Sequence, residues 1–177
     1  MSDSLVAIGL ISGTSADGID AVAIRSDGES KPELLAFTEN PYPDIVRQGV
    51  LSLYHPGENE IDRMGRLDKE LGELFAAAAL GVCKSAGLTP SQVDVIGSHG
   101  QTIRHRPPDF TLQIGNPAII SAITGIKTIG DFRKADMALG GEGAPLAPLF
   151  HKAVFNSDGM ATGILNLGGI GNLTILS

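Results

Sequence analysis

The chain is short of cysteine, of positive charge and of long apolar runs, and each shortage removes a class of protein. Its single cysteine, Cys83, cannot form an internal disulfide, and its place in a helical apolar pattern makes it a packing residue. Lys and Arg number 13 against 20 Asp and Glu, a net charge of −7 with no basic run. Counterion release on a nucleic-acid backbone therefore has nothing to work through, and nucleic acid is set aside as a partner. The longest nearly uncharged apolar stretch, Leu74 to Cys83, falls well short of the roughly 18 to 20 residues of a membrane span, and no cationic lead precedes the first apolar run. A soluble, unexported protein of a reducing cytosol is expected, with no membrane partner.

Several catalytic signatures are missing as well. Neither G-x-x-x-x-G-K-[ST] nor G-x-G-x-x-G occurs, which argues against a P-loop or a Rossmann site. His55, His99, His105 and His151 show no H-E-x-x-H or paired-cysteine arrangement, so a structural transition metal is not expected. Ser98 beside His99 lacks the G-x-S-x-G elbow of a serine hydrolase, because Ile96 stands two residues before it.

Glycine, by contrast, is abundant at 23 residues, clustered at positions 13 to 18, 97 to 100, 140 to 143 and 168 to 171. Each cluster follows or joins apolar segments, where glycine permits positive φ and close approach of backbone to a ligand; a tight turn is the plainer alternative.

The first forty residues read as an antiparallel meander of Leu5 to Leu10, Gly18 to Arg25 and Leu34 to Glu39. Ile61, Met64, Leu67, Leu71, Leu74, Phe75, Ala78 and Val82 recur at helical spacing, predicting a long helix with Asn59 as cap and Gly87 as stop. Thr89-Pro-Ser-Gln has the form of a capping box and leads through one turn into a strand over Val93 to Ile96. Asn116-Pro117 opens a helix ending at Gly125, Lys127 to Gly130 forms a strand, and Gly143-Ala-Pro opens a helix reaching about Phe155. Alternating strands and helices imply parallel crossovers, so the expectation is an α/β fold with a mixed sheet and helices on both faces. Ligands in such sheets bind beyond the carboxyl ends of the parallel strands, where residues 97 to 102 and 131 to 133 are expected. Thr162 to Leu176 repeats the strand, glycine-rich turn, strand pattern of Val6 to Ile24, suggesting a second domain that begins near residue 160.

The loop Gly13-Thr-Ser-Ala-Asp-Gly18 offers backbone N–H groups and two hydroxyls to phosphate oxygens, with Asp17 in reach of magnesium through water; taken alone it also reads as a hairpin turn. Asp131, Arg133, Asp136 and Glu142 form a polar cluster with little apolar cover, which by residue type reads first as a solvated surface loop.

Six runs in order resemble motifs of the anhydro-N-acetylmuramic acid kinase family: Gly9 to Asp20, Gly97 to Pro107, Leu112 to Pro117, Gly130 to Arg133, Gly140 to Leu146 and Leu165 to Leu173. Ala16 stands where leucine is common and Glu142 where glutamine is common. The likeness spans essentially the whole chain but about the first half of a typical member. It implies an actin-like ATPase domain over residues 1–160, of the actin, hexokinase and heat-shock ATPase superfamily, with residues 161–177 the first hairpin of a truncated second domain. ATP and magnesium are the implied cofactors. By the same resemblance Gly13, Thr14, Ser15, Ala16, Asp17, Gly18, Ile19 and Asp20 form the first phosphate element, and Gly168, Gly169 and Asn172 the second.

Family members join hydrolysis to phosphoryl transfer. Water opens the 1,6-anhydro bridge of anhydro-N-acetylmuramic acid while the freed 6-oxygen attacks the γ-phosphate of ATP, a step of cytoplasmic peptidoglycan recycling. The family's water-activating aspartate lies in a G-F-D-x-G-P-G-N segment that this sequence lacks. That main base is expected beyond Ser177, the last residue, so the chain alone is expected to be inactive. Gln101, Asp131 and Arg133 are expected on the sugar side of the cleft, with Arg133 facing the lactyl carboxylate and Asp131 in reserve as a catalytic carboxylate. A homodimer is the implied assembly. The alternatives are a non-catalytic nucleotide-binding module of the same fold and a structural domain with no dependence on ATP.

Overall fold

The computed structural model describes residues 4–155, 160–167 and 171–176. Three strands, β1 (Leu5–Ser12), β2 (Gly18–Ser26) and β3 (Glu33–Pro41), form the expected antiparallel meander. They are followed by helices α1 (Asp44–Ser52) and α2 (Glu60–Ser85), a single 3-10 turn at Pro90–Gln92, and strand β4 (Val95–Arg106). Strand β5 (Phe110–Ile114), helix α3 (Pro117–Thr124), strand β6 (Thr128–Ile129), and helices α4 (Phe132–Ala138) and α5 (Ala147–Phe155) complete the main body.

The sheet is mixed, in the order β3-β2-β1-β4-β5. β1 runs parallel to β4, β6 runs parallel to the first part of β4, and β5 pairs antiparallel with its second part. Strand alternation sends Ile8 and Leu10 of β1, Ile19, Ala21 and Ala23 of β2, and Ile96 of β4 to one buried face. Helix α2 covers that face with Leu67, Leu71, Phe75, Ala78 and Val82, spaced by three or four residues. Fully burying each of the larger of these side chains contributes on the order of 1.5–3 kcal/mol. Gly72 lets α3 lie close against α2, since a Cβ there would stand 3.1 Å from Ile119. On the opposite face, α4 brings the Phe132 ring over Gly97.

The end of α2 bears out the glycine stop. Gly87 takes φ +70, the Leu88 amide donates to the Cys83 carbonyl and the Gly87 amide to that of Lys84, as in a Schellman motif. Asn59 occupies the N-cap of α2 but its side chain makes no capping bond; its carbonyl instead accepts from Arg63. Asn116 does cap α3, its side-chain oxygen accepting from the Ala118 amide.

Four expectations need correction. Residues 97 to 102 are not a loop after the strand, because β4 continues through them. Pairing of Gly97, Ser98 and Gln101 with β1 holds them extended, and a bulge at Gly100, with φ +70, absorbs the one-residue slip. Residues 110 to 114 form a strand, and Asp44–Ser52 and Phe132–Ala138 are helices that periodicity does not reveal. Asp131 is thus the N-cap of α4 in a left-handed conformation, φ 59, rather than part of a strand exit loop. Helix α5 begins at Ala147, four residues later than Gly143-Ala-Pro suggests.

Strands β7 (Thr162–Leu167) and β8 (Gly171–Leu176) pair as a separate two-stranded sheet, in register from Thr162 with Leu176 to Leu167 with Gly171. The hairpin meets α5 where His151 Nδ1 lies 2.9 Å from Thr174 Oγ1. Ser177, which follows β8, lies outside the described residues.

Candidate phosphate and carboxylate site

The loop between β1 and β2 is tied down by its carbonyls. Gln101 Nε2 donates to the Gly13 carbonyl at 3.0 Å, Tyr54 Oη donates to that of Thr14 at 3.0 Å, and the Tyr42 amide donates to that of Asp17 at 2.9 Å. Ala16, at φ 50, is buried and donates its amide back to Gly13, closing the turn. The amides of Thr14 and Ser15 have no protein partner among the described residues. The side chains beside them are exposed, with Ser15 Oγ donating to Asp17 Oδ1 at 2.9 Å. A loop anchored through its C=O groups, with spare N–H groups and hydroxyls, has the donor set that phosphate oxygens need.

The expectation of Gln101 on an open sugar wall needs correction. It is wholly buried beneath this loop, where Ser12 Oγ donates to its Oε1 at 2.6 Å and Tyr54 Oη accepts from Nε2 at 3.2 Å. It shapes the loop from below. Ile19 is likewise a core side chain, and Asp20 is exposed at the neighbouring end of β2. The Asp20 carboxyl is pushed above the ordinary aspartate range, by partial desolvation first and then by the charges of Glu39 and Asp17.

Arg133 stands on the first turn of α4 and is held at two points. Its Nε donates to His99 Nε2 at 2.9 Å and one terminal nitrogen donates to the Gly143 carbonyl at 3.0 Å. The glycine-rich loop is fastened in turn by Asp136, whose carboxylate accepts from the Gly143 amide at 2.7 Å and whose carbonyl accepts from that of Gly141. Arg133 and Asp136 are therefore parts of an ordered clamp, while Asp131 and Glu142 of the same cluster are exposed. Burial moves both His99 and Arg133 toward their neutral forms, and for His99 the adjacent guanidinium adds to the effect.

Arg133 and His99 line a cavity of about 460 Å³ that also takes in Ile11, the Ala144 to Pro148 segment, His151, and Asn166 and Asn172 of the hairpin. It lies beside the end of β1 and the middle of β4, where the two strands run parallel. Asp131 lines a different cavity, of about 400 Å³, and its carboxylate is paired with Lys134 at 2.7 Å. Asp131 and Arg133 thus line different cavities, with His99 on the wall of both. Gly168 and Gly169 lie outside the described residues, while Asn172 lies on the Arg133 cavity. The expectation of a main base beyond Ser177 also falls outside the described residues. Among the described residues no group of three or more His, Cys, Asp or Glu is placed to hold a metal by direct coordination.

Tyr54, Ser12 and Asp136 support the site, although sequence reasoning gives none of them this role. Tyr54 gives no local signal, whereas Asp136 stands three residues after Arg133, the spacing that puts both on one side of a helix.

A family model described as anhydro-N-acetylmuramic acid kinase matches residues 5–177. A relative of that name from Shewanella amazonensis is 50% identical over 99% of this chain and 48% of its own length. Another from Saccharophagus degradans is 48% identical over 96% of this chain and 47% of its own length. The chain thus spans about half the length of the curated relatives it matches. A ROK hexokinase structure from Thermus thermophilus overlaps 80% of this chain and 38% of its own, at 20% identity and a TM-score of 0.35, too slight a likeness to support any inference.

Proposed function

The chain belongs to the anhydro-N-acetylmuramic acid kinase family, and from that membership we propose that it supplies the phosphate-binding and carboxylate-binding parts of an ATP-dependent sugar kinase. One observation carries this reading. The loop with unpartnered amides at Thr14 and Ser15 and the doubly held guanidinium of Arg133 belong to the same end of the same sheet.

In this reading the loop donates to phosphate oxygens of ATP, and Asp17 and Asp20 would hold, through water, the magnesium ion that accompanies them. The fit rests on the donor set: the exposed carboxylates of Asp17 and Asp20 stand beside the loop, with Glu39 directly across from Asp20 on β3. Arg133, with one side of its fork free, binds the lactyl carboxylate of anhydro-N-acetylmuramic acid in the 460 Å³ cavity. Water adds at C1 of the sugar, giving its proton to the base expected beyond Ser177, as the C1–O6 bridge breaks, and O6 forms its bond to the γ-phosphorus as ADP leaves. Asp131, the reserve carboxylate for this step, pairs with Lys134 on the neighbouring cavity and would have to leave that partner to activate this water. The setting is cytoplasmic peptidoglycan recycling, where ATP is at hand.

Calorimetric titration of the chain with magnesium-ATP and with anhydro-N-acetylmuramic acid tests the reading, and binding of each is expected. Binding of ATP without the sugar would leave a nucleotide-binding module; binding of neither would overturn both roles.

A further inference from the structure

Both ring nitrogens of His99 are engaged in a way that fixes its chemical state. Nδ1 lies 3.0 Å from the Gly100 carbonyl, which can only accept, so Nδ1 carries the hydrogen. Nε2 lies 2.9 Å from Arg133 Nε, which can only donate, so Nε2 offers its lone pair. A neutral imidazole in a single tautomer satisfies both contacts. An imidazolium would set two donors and two cations against each other at the Arg133 contact.

We propose that neutral His99 is a positioning residue that holds the guanidinium of Arg133 edge-on, so that its remaining N–H groups face the cavity and select a carboxylate-bearing sugar over a neutral one. The proposal rests on the carboxylate-binding reading of Arg133. An arginine side chain is long and rotamer-rich, and a free one would sample many directions; a lone-pair acceptor at Nε and a carbonyl at one terminal nitrogen leave the other edge of the fork pre-aimed. No carboxylate pairs with Arg133 among the described residues, so the charge is left for a ligand. The charged groups around this pair are Asp136, three residues along α4 and bonded to the Gly143 amide, Asp20 across the sheet face, Asp131 and Lys134, which pair with each other, and His151 on the cavity wall.

The arrangement is acid-sensitive. As pH falls through the lowered pKa of His99, the proton lands on Nε2, the contact with Arg133 is lost, and carboxylate affinity falls with it.

The test uses the whole chain, with His99→Gln, whose amide oxygen stands near the place of Nε2, and His99→Ala, which has no acceptor. Nitrogen-15 NMR of the free protein reads the tautomer and the Arg133 Nε–H resonance. Calorimetry compares anhydro-N-acetylmuramic acid with neutral anhydro-N-acetylglucosamine. Expected are an Nδ1–H tautomer and an Arg133 resonance shifted in His99→Ala and restored in His99→Gln. Affinity for the acidic sugar should fall about tenfold or more in His99→Ala, with the neutral sugar unaffected and the loss largely recovered in His99→Gln. Wild-type affinity should decline below the ordinary histidine value of 6.5, while His99→Gln stays flat. An Nε2–H tautomer, or an Arg133 resonance indifferent to His99→Ala, overturns the proposal. Intact coupling between the two residues with no preference for the acidic sugar would uphold the positioning and remove the carboxylate reading of Arg133 instead.

Discussion

Gln101 Nε2 lies 3.0 Å from the carbonyl oxygen of Gly13, so a side chain 88 residues downstream sets the floor of the first loop. Its other end accepts from Ser12 at 2.6 Å, and the residue is completely buried. Removing it leaves the buried Ser12 hydroxyl without this acceptor, a loss of about 1–3 kcal/mol, and takes one of two donors from the Gly13 carbonyl, which keeps the Ala16 amide. Gln101→Leu, which keeps the volume, is expected to lower the urea midpoint and to weaken ATP binding together. A Ser12→Ala, Gln101→Leu double variant less destabilised than the sum of its parts would confirm that the two residues act as one unit.

Glycines of this chain separate into those fixed by backbone contact and those free to change. A Cβ at Gly18 would stand 2.5 Å from the Asn40 carbonyl oxygen, backbone that cannot step aside, whereas one at Gly81 on α2 meets nothing within 4 Å. Gly18→Ala should destabilise the fold by more than about 1 kcal/mol through forced separation of β2 from β3. Gly81→Ala should stabilise it by roughly 0.5–1 kcal/mol through helix propensity. Thermal melts of the two variants should move in opposite directions, and a stabilising Gly18→Ala would show that the β2–β3 contact is looser than described.

What is legible in the sequence follows apolar periodicity and turn chemistry. α2 buries Leu67, Leu71, Phe75, Ala78 and Val82 at regular helical spacing, among others, and Gly87 and Asn116 mark their helix ends as expected. Where the pattern thins, the reading fails. α1 buries only Val46 and Val50, and α4 buries nothing, so neither leaves a stripe. Residues 97 to 102 are turn-like by type, but β1 on one side and β5 on the other impose extension on them, tertiary pairing overriding local preference. The motif resemblance draws Gln101 and Arg133 together as candidates for one wall of a cleft. Their division of labour is visible only in three dimensions, since nothing local says that one points into the core and the other into a cavity.

Asp20 offers a test of electrostatic strain. Its folded pKa is raised, so the folded chain binds that proton more tightly than the unfolded chain, and the ionised carboxylate opposes folding at neutral pH. Asp20→Asn is therefore expected to be more stable than the parent at pH 7, with the difference disappearing as pH falls below the unfolded value of 3.8. If Asp20 also faces magnesium, the same variant should bind magnesium-ATP less well while binding ATP without the metal no worse. Stabilisation that persists well below that value would mean that packing, not charge, is responsible.

Arg133 is the residue on which the substrate reading turns, and three substitutions divide its contributions. Its Nε and one terminal nitrogen are committed to His99 and Gly143, so the ligand meets a fork already oriented. Arg133→Ala removes charge, fork and packing at once. Arg133→Lys keeps the charge but, as a compact ammonium on a flexible stem, cannot satisfy both anchors and bind a carboxylate bidentately. Arg133→Gln keeps a neutral amide and discards the charge. If the guanidinium binds the lactyl carboxylate, all three should lose affinity for anhydro-N-acetylmuramic acid, Ala and Gln by about tenfold to a hundredfold and Lys by less, because a charge-assisted hydrogen bond contributes roughly 1.5–3 kcal/mol. Affinity for ATP should stay within a factor of about three in each, since the phosphate loop is anchored through Gln101 and Tyr54 and not through α4. In a relative of full length the same substitutions should raise KM for the sugar far more than KM for ATP. Equal losses for both ligands would place Arg133 in the phosphate site instead, and an Arg133→Gln variant that binds the acidic sugar as well as the parent does would remove the carboxylate from this cavity altogether.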